Sequence, residues 1–95
     1  MIRLYSNKNG AIYISNDLLR NSILKIILIY INKSGIIDIE FDTKKNQLKF
    51  TNIKLKKTVS INEFEEKNIH DEIKFFLSNK FQLSNVIVTF FYESF

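Results

Sequence analysis

Few residues in this chain could do chemistry. The only histidine, His70, sits beside Asp71 and Glu72, a grouping that could serve as a general base or a metal site. Successive helix residues point about 100° apart, so on a helix the three are expected not to converge. Two acids near a helix N-terminus are also explained by the helix dipole. Asp38, Glu40 and Asp42 alternate along one run and would share a strand face, where a cation could bind. Acids on the wet face of a strand are ordinary, and Lys49 is expected to pair with Glu40. There is no cysteine, hence no thiolate nucleophile, thiolate metal ligand or disulfide. With two glycines there is no Gly-rich phosphate loop or dinucleotide turn, and no nucleophile elbow or zinc-ligand spacing occurs. The chain is therefore read as a non-enzyme, with no catalytic residue, cofactor or metal.

Binding chemistry has more to work with. The net charge of +4 is uneven. Residues 44–57 hold Lys44, Lys45, Lys49, Lys54, Lys56 and Lys57 and no acid, whereas residues 58–95 carry a net negative charge. Lys44, Lys45, Lys54, Lys56 and Lys57 are the candidate contacts to an anionic partner, either RNA, including the ribosome, or a membrane surface. Against this, lysines far outnumber the two arginines, and phosphate and base recognition lean on the arginine fork. Isoleucine, lysine, asparagine and phenylalanine make up half the chain, and all can be encoded by A and T alone. An AT-rich genome would inflate lysine by itself.

The second binding feature is apolar. Val86, Val88, Phe90 and Tyr92 alternate with Ile87, Thr89 and Phe91, so both faces of one strand are apolar. Two such faces are hard to cover in 95 residues. Ile87 and Phe91 are the candidate homo-oligomer interface.

The elements that position these residues follow from periodicity. Length allows one domain, residues 1–95, and the 45% apolar content is too high for disorder. Residues 2–5 and 11–14 are β-like, and Asn9-Gly10 between them is a hairpin signal that would add an N-terminal strand. Whether the two runs pair is left open by the sequence. Ser15-Asn16-Asp17 offers N-caps to an apolar run expected to be a helix of about 16 residues. Its buried face would hold Leu18, Leu19, Ile23, Ile26, Ile27, Tyr30 and Ile31, and Gly35 would close it. Residues 36–42 alternate as a strand, 43–46 form a four-residue turn, and a second strand follows. In that register Phe41 faces Leu48, Glu40 faces Lys49 and Ile39 faces Phe50. Leu48 and Phe50 are even-numbered while Ile53 and Leu55 are odd, which demands a bulge, placed at Thr51-Asn52. Ser60-Ile61-Asn62-Glu63 has capping-box form, with a turn to residue 67 and a helix over about 68–80. The order β-α-β-β-α-β gives an α+β fold, a mainly antiparallel sheet with two helices on one face.

Gly10-Ala11-Ile12-Tyr13-Ile14-Ser15-Asn16-Asp17-Leu18 resembles the opening "G-x-I-x-I-S" strand and first helix of the alkaline-shock (envelope-stress) protein family. Ile69, Ile73 and Leu77, followed by residues 81–88 ending in Val86-Ile87-Val88, resemble its second helix and closing "V-x-V" strand. The first helix differs in being rich in isoleucine, and Thr58–Asn62 lacks the family's Gly/Pro turn. The resemblance implies a cytosolic, non-enzymatic protein held at the inner face of the membrane through partners, with no catalytic residues to transfer. The N-terminus has no secretory h-region, and the apolar stretch 18–31 is shorter than the roughly 20 residues a bilayer needs. A cytoplasmic protein without a membrane span is expected, with protein partners, itself included, and peripheral membrane attachment through them.

Overall fold

The computed structural model describes residues 1–7 and 10–94. The elements are β1 (Ile2–Asn7), β2 (Gly10–Ile14), α1 (Asn16–Ile27), a short 3-10 turn (Lys33–Gly35), β3 (Ile36–Lys44), β4 (Gln47–Lys56), α2 (Glu63–Phe81) and β5 (Ile87–Glu93). This is the expected α+β class, with the N-terminal strand added as a hairpin. β1 and β2 pair antiparallel from Ile2↔Ile14 to Asn7↔Gly10. The Lys8-Asn9 part of the expected turn lies outside the described residues.

β4 is the centre of the five-stranded sheet. β3 runs antiparallel along its whole length. On its other side β1 meets only the first residue, Arg3↔Gln47, and β5 runs parallel from Phe50↔Ile87 to Lys56↔Glu93. The Arg3 N–H donates to the Asn46 carbonyl at 2.7 Å and fixes the first of these joints.

The β3–β4 register departs from expectation by two residues next to the turn and by three beyond the bulge. Ile39 faces Ile53, Phe41 faces Thr51, Asp42 faces Phe50 and Thr43 faces Leu48. The connection is a two-residue turn, Lys45-Asn46, with φ of 54° and 65°. Two positive-φ residues give the twist that a tight hairpin needs, and this replaces the four-residue turn. The bulge that the parity demanded exists, but Lys49 is its extra residue, not Thr51-Asn52. A second irregularity leaves Ile37 unpaired between Ile36 and Asp38.

α1 is capped by the Ser15 hydroxyl, which accepts from the Leu18 N–H at 3.1 Å. It ends at Ile27, earlier than expected, and buries Leu19, Ile23 and Ile27, an i, i+4, i+8 stripe. Leu18, expected on the buried face, is exposed. Gly35 does not cap this helix. It lies buried in the 3-10 turn, where an added Cβ would stand 2.5 Å from Val59 Cγ2.

α2 begins at Glu63, five residues before the expected start. Its cap is Asn62, whose side chain accepts from the Glu65 N–H at 2.8 Å, and not Ser60. Phe64 broke the apolar phase because it is exposed and belongs to no buried stripe. Ile69, Ile73 and Leu77 are fully buried.

Both helices pack on one face of the sheet. Leu19, Ile23 and Ile27 of α1 and the α2 stripe form one core with Ile39, Ile53, Leu55 and Val88, which Ile2 and Val86 also enter. Each fully buried isoleucine or leucine contributes about 1.5–3 kcal/mol over its exposed state. Among the described residues no helix is long and apolar enough to cross a membrane.

Candidate functional site

Pairing across β3, β4 and β5 fixes what each sheet face presents, since directly opposed residues share a face. The helix-covered face takes Ile39, Phe41, Thr51, Ile53, Leu55, Val88, Phe90 and Tyr92. The opposite face takes three rows: Asp42–Phe50–Ile87, Glu40–Asn52–Thr89 and Asp38–Lys54–Phe91. Its apolar residues Phe50, Ile87 and Phe91 are exposed.

The polar groups of this open face satisfy one another. Lys54 Nζ lies 3.1 Å from Glu40 and 3.9 Å from Glu93. The Glu40 carboxylate, first among the causes, raises the Lys54 ammonium pKa above its ordinary value. Asn52 Nδ2 donates to Asp42 at 2.8 Å. Asp38 lies 3.8 Å from Arg20 Nε and accepts from the Ile39 N–H. The three alternating acids thus have three separate partners and do not converge on a cation. The expected Lys49–Glu40 pair does not form. The register shift gives that acid to Lys54.

The apolar groups have no such partners. Phe50, Ile87 and Phe91 are 39%, 53% and 44% exposed. Phe50 and Ile87 are direct neighbours on β4 and β5, and Phe91 follows on the same face of β5. The sequence reading placed Ile87 and Phe91 here but buried Phe50. The parity break between Phe50 and Ile53 was the signal that could have found it.

No family model, curated protein or solved structure matches the chain.

The five candidate lysines are not brought together. Lys44 and Lys45 lie at the β3–β4 turn, and Lys56 and Lys57 lie at the far end of β4, roughly 30 Å away at strand rise. Lys56 and Lys57 share a shallow hollow with Thr58, Glu93 and Ser94. Lys54, between the two ends, is held by Glu40 and Glu93.

His70 and its neighbours divide. His70 Nδ1 meets Asp71 Oδ1 at 3.0 Å, a contact between two of the three residues that were expected not to converge. The His70 contact, then Lys67 at 3.5 Å, holds the Asp71 carboxyl below its ordinary pKa. Glu72 turns away and accepts from the Tyr30 hydroxyl, which raises the Tyr30 phenol. No group of three metal-ligating side chains occurs among the described residues.

The helix layer also exposes Phe64 and Phe75. They sit roughly three turns apart on one face of α2, with the Lys67–Asp71 ion pair between them, so they form no continuous patch.

Proposed function

We propose that this chain is a small non-enzymatic interaction module that self-associates through β5 and the open sheet face. The observation that carries the reading is that Phe50 and Ile87, side by side, and Phe91, further along β5, are exposed on one face, while Lys54 is ion-paired with Glu40 and Asp42 is hydrogen-bonded to Asn52. Burying apolar area is the main drive for association, and paired flanking charges can enter an interface with less desolvation left uncompensated. The resemblance to alkaline-shock proteins supports an envelope-stress setting, with contact to the membrane made through protein partners.

Sedimentation velocity over a concentration series tests the reading. The expected result is a mass that rises with concentration and a shift to monomer for Phe91→Lys. A monomer at every concentration, indifferent to Phe91→Lys, would remove it.

A further inference from the structure

We infer that the partner at β5 is a second copy of this chain, joined as an antiparallel β5–β5 pair about a two-fold axis at Thr89. This inference rests on the reading of β5 as the association strand and adds the geometry of the joint.

The first argument is the state of the sheet edges. Among the described residues β5 pairs with β4 alone, so its outer edge presents unpaired main-chain N–H and C=O groups. Proteins usually guard such an edge with lysines, bulges or a covering group. β3 is guarded in this way. Arg20 Nε of α1 donates to the Ile39 carbonyl at 2.9 Å, Ile37 interrupts the ladder, and Asp38, Glu40 and Asp42 line the strand. β5 has none of these. Its register on β4 is unbroken, it contains no lysine or proline, and Glu93 at its end is its one charge.

The second argument is register. A two-fold axis normal to the sheet keeps the open faces of both copies on the same side. Directly opposed residues share a face, so the axis must pass through a residue position and not between two. At Thr89, Ile87 faces Phe91 of the second copy on the open side, and Val88 faces Phe90 of the second copy on the helix side. Glu93 then faces Asn85, an uncharged residue. Moving the axis to Phe90 sets Ile87 against Glu93 and Phe91 against Thr89. Moving it to Val88 sets Phe91 against Asn85. Thr89 is the position at which every apolar side chain of the strand meets another. The joined sheet sets Phe50 and Ile87 of each copy in one row with Phe91 of the other, and the two rows flank the Thr89–Thr89 pair.

The absence of native cysteine makes the geometry directly testable. Opposed residues in an antiparallel pair have Cα atoms about 4.5–5.5 Å apart, inside the roughly 4.4–6.8 Å that a disulfide spans. Under mild oxidation Thr89→Cys is expected to give a linked dimer. Ile87→Cys and Phe91→Cys alone are expected not to link, because each lies about 13 Å along the strand from its own copy. The double variant Ile87→Cys/Phe91→Cys links again. If the wild type is dimeric by sedimentation but Thr89→Cys stays reduced, or Phe91→Cys alone links as readily, this register is overturned while self-association stands. If the wild type is monomeric at all concentrations, the underlying reading has failed.

Discussion

Tyr92 of β5 donates its phenol hydrogen to Oε2 of Glu66 in α2 at 2.6 Å, so a polar bond ties β5 to the helix layer. Burial against the helix, and then the Glu66 carboxylate, raise the Tyr92 phenol above its ordinary pKa. The folded protein therefore holds this proton more tightly than the unfolded chain. The stability it supplies is fully present below the unfolded-state value of about 10 and is lost as pH rises through the higher folded-state value. Urea unfolding at about pH 8 and about pH 11 is expected to show this loss. Tyr92→Phe should cost about 1 kcal/mol at neutral pH, the low end for a bond to a charged acceptor because the site is partly wet. It should also lose less on going to high pH. Tyr30 and Lys54, whose pKa values are raised too, keep part of the alkaline slope.

Element types were legible in the sequence because burial follows period. Ile39 and Phe41 against Glu40 and Asp42, and Val86 and Val88 against Ile87, could be read at once as strand faces. The β3–β4 register was not, for one reason. A buried Phe50 demands a pairing that differs from the observed one by two positions next to the turn and by three beyond it. The pairing moved Lys49 onto Glu40 and turned Lys45-Asn46 into part of a longer turn. Phe50 in fact points to the open face, and so the residue that misled the register is also part of the candidate site. The parity break with Ile53 is the one local mark of an outward Phe50, and its partners, Asp42 and Ile87, place it on the open face.

Gly35 stands where chain segments crowd. A Cβ there would lie 2.5 Å from Val59 Cγ2 and 3.4 Å from Ile31 Cγ2. Gly35→Ala is expected to destabilise by about 1–3 kcal/mol, the usual cost of overpacking. Val59→Ala removes the obstructing methyl groups. The double variant should therefore lose less than the sum of the single losses, with a coupling of about 0.5–3 kcal/mol in urea unfolding. Strict additivity would show that Val59 is not what excludes the side chain.

Thr51 is fully buried on the helix face of β4, between Phe41 and Val88, and its Oγ1 has no hydrogen-bond partner among the described residues. An unsatisfied buried hydroxyl carries a desolvation cost that a methyl group of the same shape does not. Thr51→Val is expected to stabilise by about 1 kcal/mol and to raise the melting temperature by about 4–8 °C. Thr51→Ser keeps the hydroxyl and loses the methyl, so it should destabilise by about 1 kcal/mol. Opposite signs for these two substitutions separate the polar cost from simple packing. Two losses would mean that the hydroxyl is satisfied in solution.

Lys45 takes φ of 54° and Asn46 φ of 65° in the two-residue β3–β4 turn. Asparagine and glycine tolerate this region, whereas lysine pays for its Cβ there, at about 1–2 kcal/mol in the left-handed conformation. Lys45→Asn should recover part of that, about 0.5–1 kcal/mol, and Asn46→Gly should be neutral or slightly favourable. Neither change touches β5, so the association measured by sedimentation should be unaltered. If the hairpin used the longer turn, residue 45 would have no need of positive φ. Lys45→Asn would then leave the urea midpoint where it is, and that outcome would overturn both the turn and the Ile39–Ile53 register built on it.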